Sequence, residues 1–499
     1  MLDWLDWSSG WERLIIAGVL ALLAAVIWAF LRLRRGVDTA RHQTDDVPPT
    51  QASRPRTPPP QPPTPSIRPP GSGTSPNAPA NPVQPAPHSH PYEARKIARA
   101  PQRDGADVAA ERPAPPAPAP VPSAGAPTAG ASVGEDLGAY VAVTVHYGTD
   151  RRDTGVASDQ ASRYTYERAV IDGGRAPMSY GSCQVSIPKS HTVGGLEDRS
   201  WWQWATMQGR TPDKFVMVTS VTPAAAADFF QTLRAAVARS GKKDAFVFVH
   251  GFSVSFADAA RRTAQMAFDM KFQGAPVMFS WPTPDLSISL FTSYTTSESN
   301  AILSTDRFRQ FLKDVIERTG AGTVHLIAHS MGNRLVTDAL NMLDAVDNAN
   351  LKARIGEVIL TAPDIDATVF TSVIAPRITK FSPRVTLYAS SKDKALQASQ
   401  SVHSFPRIGE FQSLMQVPLG VDVIDASAVY DGSDGLNHSY YGDSEPVIGD
   451  ICYLLSLGGR AAERKLTLTG AKTPGGDACW SIVQRPLADI YAAIAAGRV

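Results

Sequence analysis

The sequence predicts an α/β protein built on a mostly parallel, doubly wound sheet with helices on both faces. Three observations carry that prediction. Apolar strand-like runs alternate with helical periodicities from Tyr140 to Leu457, the mark of repeated strand–helix units. Ala245–Val249 is continuously apolar, as a strand buried on both faces must be. Finally, the apolar run from Thr323 passes through Ala328-His329-Ser330-Met331-Gly332 straight into a helical pattern with Val336, Ala339, Leu340 and Leu343 on one face.

The elements follow in order. Tyr140–His146 alternates β-branched residues and reads as the first strand. Lys214–Val221 reads as another, with Thr222-Pro223 as the N-cap and first-turn proline of a helix ending near Gly241. After Ala245–Val249 come a helix from about Ser255 to Lys271 and a strand at Pro276–Ser280. Polar residues fill Leu286–Asn300, and within it Leu286–Thr296, with Phe291 and Tyr294, reads as an ordinary loop rather than an acyl or lid wall. A helix with Phe308, Phe311, Leu312, Val315 and Ile316 on one face then runs to Gly320. Strands at Glu357–Thr361, Arg384–Ser390 and Val421–Ile424 follow the Ser330 segment, the last taken as final, and a helix spans Ser444–Leu457. No internal repeat is evident.

Composition divides the 499 residues unevenly. Leu14–Leu31 is an uncharged apolar run long enough to cross a bilayer as a helix, with Trp4, Trp7, Trp11 and Trp28 near its ends. The leading segment carries Asp3, Asp6 and Glu12 but no Lys or Arg, which favours a retained anchor over a cleaved signal. Arg32, Arg34 and Arg35 put the body in the cytoplasm of a bacterial inner-membrane protein by the positive-inside rule, with a periplasmic body as the alternative. Well over half of the 40 prolines lie between Val47 and Gly134, so this stretch reads as a solvated, disordered spacer. No protein partner for its Pro-rich runs is assigned. The expected divisions are an N-terminal segment 1–13, a transmembrane helix 14–31, a linker 32–137, a globular domain 138–457 and a C-terminal extension 458–499. A net charge of +1 leaves no nucleic-acid footprint. The three cysteines, Cys183, Cys452 and Cys479, are too few for a metal knuckle or a disulfide framework, though one pair is left free to bridge.

The chemistry centres on Ser330. A serine at a strand-to-helix turn, with Ala328 and Gly332 two residues to either side, matches the nucleophile elbow, where bulk at either flank would strike neighbouring backbone. The plain alternative is an ordinary serine in such a turn. A serine hydroxyl needs a base to take its proton and a carboxylate to orient that base, and in a parallel sheet they follow in the order Ser, acid, His. Only His403 and His438 follow Ser330. His403 precedes the expected last strand, which leaves His438, in a polar loop before the final helix, as the base. Asp393, just beyond the strand Arg384–Ser390, is the preferred acid. Asp364 and Asp366, after the preceding strand, are the alternatives, and helix capping is their ordinary role. The amides of Met331 and of Phe252, in the His250-Gly251-Phe252 turn, are the expected oxyanion donors. His250 and His329 read as bracing residues.

Taken together, Tyr147-Gly-Thr-Asp-Arg151, Tyr180-Gly-Ser-Cys-Gln-Val-Ser-Ile-Pro188, Val249-His-Gly-Phe252, Phe279-Ser-Trp-Pro282, Ala328-His-Ser-Met-Gly-Asn-Arg334 and Ala362-Pro-Asp-Ile-Asp366 resemble the alpha/beta-hydrolase superfamily, and within it the bacterial group DUF900. The resemblance covers roughly Gly138 to Leu457. It implies an eight-stranded alpha/beta-hydrolase fold and a serine hydrolase triad. The expected activity is carboxylic-ester hydrolysis on a small-molecule or lipid ester, esterase- or lipase-like, with neither metal nor organic cofactor. Amide or peptide hydrolysis, or acyl transfer, on the same site is the alternative chemistry; a non-catalytic membrane-tethered interaction module is the alternative class.

Overall fold

The computed structural model describes residues 133–156, 162–171, 174–196, 210–284, 290–344, 349–382, 384–414, 416–429 and 436–497, all within the unit Pro115–Val499. The expected span Leu14–Leu31 and most of the linker lie outside the described residues. Among the described residues no helix is long and apolar enough to cross a membrane.

A 12-stranded mixed sheet forms the centre. In spatial order its strands are Leu468–Lys472, Ala478–Ile482, Val421–Asp425, Val385–Ala389, Ile355–Thr361, Thr323–His329, Asp244–Val249, Ala275–Ser280, Tyr140–Thr149, Ser179–Pro188 and Met217–Ala224, with the short Glu135–Asp136 on Tyr140–Thr149. From Ala478–Ile482 through to Tyr140–Thr149 every neighbouring pair is parallel; antiparallel strands close both edges. The sheet is thus mostly parallel and wider than the eight strands implied, and one of its parallel strands, Ala478–Ile482, lies beyond the expected domain. From Asp244–Val249 the chain steps to one neighbour, Ala275–Ser280, and then returns to the other, Thr323–His329. That reversal opens a crevice at the carboxyl ends of these strands, where ligands of open α/β sheets bind.

Period-two alternation sends each parallel strand into two cores. Ala245, Val247 and Val249 face one cluster with Phe229, Phe311, Leu340 and Ile378. Phe246 and Phe248 face the other with Phe256, Ile451 and Leu487. Each fully buried Phe or Val on such a strand contributes roughly 1.5–3 kcal/mol relative to exposure. Three cysteines lie buried and free.

Four expectations change. Thr222 and Pro223 end a strand rather than begin a helix: Met217–Ala224 pairs antiparallel with Ser179–Pro188, and Pro223 sits opposite Gly181. The helix starts at Ala226, after Ala225. The supposed loop Leu286–Thr296 is, from Leu290, the first part of a 29-residue helix, Leu290–Arg318; 285–289 lie outside the described residues. Val421–Asp425 is not the last strand, because Ala478–Ile482 pairs parallel with it. The segment 458–499, expected as an extension, adds two strands to the sheet and a helix, Leu487–Ala495, that buries Leu487 and Ile490.

Candidate active site

Ser330 occupies the turn between Thr323–His329 and the helix Gly332–Asp344 with φ of 52°. Few non-glycine residues adopt this left-handed region, so the surroundings must hold it there. They do. The Ser330 amide donates to Thr361 O at 3.0 Å, and Asn333 Nδ2 donates to Ser330 O at 2.8 Å and to Thr361 O at 3.0 Å. A Cβ on Gly332 would lie 2.4 Å from His250 O, and one on Gly251 would lie 2.8 Å from Ser330 Cβ. Both glycines are therefore steric requirements, and the His250-Gly251-Phe252 turn lies directly against Ser330. Ser253, Ala362 and Asn437 also carry positive φ, in the turns after the neighbouring strands and just before His438.

His438 and Asp393 meet. His438 Nδ1 lies 2.7 Å from Asp393 Oδ2, and the Asp393 side chain is fully buried. A carboxylate at Nδ1 keeps the proton on that nitrogen and leaves Nε2 as an acceptor. The other carboxylate oxygen, Oδ1, accepts from the Leu396 amide at 3.0 Å and caps the helix Lys394–His403. The loop is pinned at both ends of the histidine: Lys394 N donates to Leu436 O at 2.9 Å, and Tyr440 OH donates to Tyr388 O at 2.9 Å. His438 also packs on His329, the residue before Ser330. His329 Nε2 donates to His438 O at 3.1 Å, and their rings are 4.6 Å apart.

The alternative acids are engaged elsewhere. Asp364 accepts from Tyr294 OH and Ser399 Oγ. Asp366 Oδ1 accepts from Thr368 and Val369 amides and caps the short helix Ala367–Val369. His403 closes the helix after Asp393 and points Nε2 to Glu298 Oε1 at 2.9 Å.

Both expected bracing histidines are buried. His250 Nε2 accepts from the Trp281 amide at 3.1 Å, its Nδ1 faces Gly251 O at 2.9 Å, and its ring stacks on Trp281. Burial, then the charge of Arg151, holds His250 well below the usual imidazole range. Burial and then His438 do the same to His329. Both stay neutral at physiological pH.

The amides of Met331 and Phe252 donate to no other described residue. The brace behind Phe252 was not foreseen. Arg151 is fully buried, with Nε on Ser280 Oγ at 2.8 Å and Nη2 on Val254 O at 2.7 Å. With Nη2 also 3.2 Å from His250 Nε2, it ties three of the resembling segments into one support for the Phe252 turn. An arginine beside an apolar strand was the available signal, since a buried guanidinium must be fully hydrogen-bonded. Tyr441 also went unforeseen, and stacks on His329 at 4.3 Å; Tyr294, read as part of an ordinary loop, lies in the helix Leu290–Arg318.

A surface pocket of about 440 Å³ lies between Pro177, Tyr180, Ala225 and Arg307. It includes no residue of this constellation and no nucleophile–base pair, so the elbow, not the pocket, marks the site.

Residues 225–455 match the family described as "Alpha/beta hydrolase of unknown function (DUF900)". Among solved structures, the phospholipase PlaB from Legionella pneumophila aligns at 15% identity over 49% of this chain with a TM-score of 0.17. The match spans 51% of that protein, about half its length. A likeness at this level carries no argument. No curated protein matches the chain.

Proposed function

We propose, from the match of residues 225–455 to the family described as "Alpha/beta hydrolase of unknown function (DUF900)", that this chain is a serine hydrolase cleaving carboxylic esters through an acyl-enzyme. The observation that carries the reading is the His438–Asp393 pair at 2.7 Å beside a serine held at φ of 52°. Ser330 Oγ attacks the ester carbonyl carbon while His438 Nε2 takes its proton, and Asp393 steadies the imidazolium. The carbonyl oxygen becomes an anion facing the Met331 and Phe252 amides, each donor worth on the order of 3 kcal/mol to the transition state. Collapse breaks the bond to the alkoxide, which leaves with the proton from His438. Water then attacks the acyl-serine, gives its proton to His438, and releases the acid. The chemistry calls for no metal ion. Leu14–Leu31 would hold the enzyme at a membrane as a single-pass anchor.

Hydrolysis of p-nitrophenyl esters of increasing acyl length, beside the matching anilides, tests this reading. Ester turnover that falls by about 10⁶ in Ser330→Ala supports it. Equal turnover in the variant, or cleavage of anilides alone, overturns the ester assignment.

A further inference from the structure

Asp364 follows the strand beside the nucleophile, and its side chain is 2% exposed. Its carboxylate gathers four groups. Tyr294 OH donates to Oδ2; Ser399 Oγ donates to Oδ1 at 2.7 Å; Arg407 Nε lies 3.2 Å from Oδ1; and Arg334 Nη2 lies 3.7 Å from Oδ2. Burial pushes the carboxyl toward its neutral form, but Arg334 and Arg407 outweigh it and hold Asp364 below the usual carboxylate range. The carboxylate is a buried anion with its countercharges supplied.

Each partner belongs to a different working segment. The Tyr294 ring packs on Phe252, centroids 5.5 Å apart, so it backs the residue whose amide faces the oxyanion. Arg334 stands one helical turn beyond Ser330; its Nε donates to Asp364 O at 2.7 Å, and the Asp364 amide donates to Ser330 O at 3.3 Å. Ser399 lies in the helix that Asp393 caps, and Arg407 Nε also donates to Ser399 Oγ at 3.1 Å. A second tie runs outside the first. Glu298 Oε1 joins Arg334 Nη1 at 2.6 Å to His403 Nε2 at 2.9 Å, linking the long helix, the elbow helix and the acid-bearing helix again.

We propose that Asp364 is a positioning residue: one carboxylate fixes the oxyanion turn, the nucleophile elbow and the helix of the acid relative to one another. The inference rests on the reading of Ser330 as nucleophile. In low dielectric these hydrogen bonds to the carboxylate are strong, although Arg407 Nη2 finds no partner among the described residues, and a misplacement of about 1 Å between reacting groups can cost on the order of 100-fold in rate. Losing Asp364 therefore slows chemistry at Ser330 without contacting substrate. It also accounts for a conspicuous acidic residue near the elbow that does not pair with His438.

The test is the time course of fluorophosphonate labelling of the full chain, which separates the maximal rate constant, the probe affinity and the final labelled fraction. Wild type is compared with Asp364→Asn and with Ser399→Ala, which removes one donor without stranding a buried charge. A positioning role lowers the maximal rate constant, about 10- to 100-fold for Asp364→Asn and by less for Ser399→Ala, with the labelled fraction complete and the probe affinity kept. A purely structural role lowers the labelled fraction while the labelled molecules react at the wild-type rate, and that outcome overturns the proposal. So does a wild-type time course in both variants. Should Asp364→Asn not fold, Ser399→Ala decides. A folded wild type that takes no label removes the serine-hydrolase reading and this inference with it.

Discussion

Asp393 uses its two oxygens differently, one to cap a helix and one to hold His438. Asparagine caps helices as well as aspartate does, so Asp393→Asn keeps the cap through its carbonyl oxygen. Its amide then faces His438 Nδ1, which forces the proton to Nε2, the wrong nitrogen for a base. The expected result is a loss of about 10⁴ in kcat with an unchanged melting temperature, read by ester turnover and thermal melts. A comparable fall in stability would contradict the division of labour. Gly251→Ala tests the neighbouring contact. The new Cβ would sit 2.8 Å from Ser330 Cβ and 3.0 Å from His329 Nδ1, so turnover should drop at least tenfold while far-UV circular dichroism is preserved. Wild-type turnover would show that the turn has slack. At this scale the sequence was legible where sterics or chain order dictate residue type, as around Ser330. Asp364 and Asp393 are both aspartates just past strands, and only the fold separates the one that reaches His438.

Elements were legible where one face is apolar. The helix Leu290–Arg318 shows why one start was hidden: Ser293, Ser297, Asn300 and Ser304 share its buried face with Tyr294 and Ala301, so the hydrophobic period is weak in the first half. Thr222-Pro223 misled for a related reason, since an N-cap signature also fits the end of an edge strand. Within the strand Ile355–Thr361, Glu357 is buried, with its carboxyl pushed by desolvation from the ordinary 4.5 to about 7, against the opposing pull of Arg384. The folded chain therefore binds more protons than the unfolded chain between those values. The contribution of Glu357 to stability is fully present below about pH 4.5 and is lost as pH rises through 7. Glu357→Gln should abolish that loss, worth roughly 3 kcal/mol, so its denaturation midpoint at pH 8 should exceed that of wild type. An identical pH dependence in the two proteins would contradict the assignment.

Across the described residues, eight parallel strands bring segments distant in sequence to one end of the sheet, where His438 meets Asp393 and packs beside His329, the residue before Ser330. The doubly wound class was legible because buried parallel strands have to be apolar. The closing edge was not: Leu468–Lys472 and Ala478–Ile482 are five residues each, contain glycine or serine, and show no clean alternation. Ala478–Ile482 nonetheless covers Val421–Asp425, Leu468–Lys472 covers Ala478–Ile482, and Leu487 and Ile490 pack into the core. Truncation after Leu457 would bare a sheet edge and an apolar helix face. The shortened chain is expected to aggregate on expression, as read by size-exclusion chromatography; a monodisperse, folded product would show that 458–499 is dispensable. The central claim at this scale is that the converged residues make one serine reactive. Its most direct measurement is mass-spectrometric mapping of the fluorophosphonate adduct on the full chain at pH 7. A single adduct on the peptide carrying Ser330, absent in Ser330→Ala and strongly slowed in His438→Ala, is the predicted result. A folded protein that takes no adduct, or takes it elsewhere, would contradict the account.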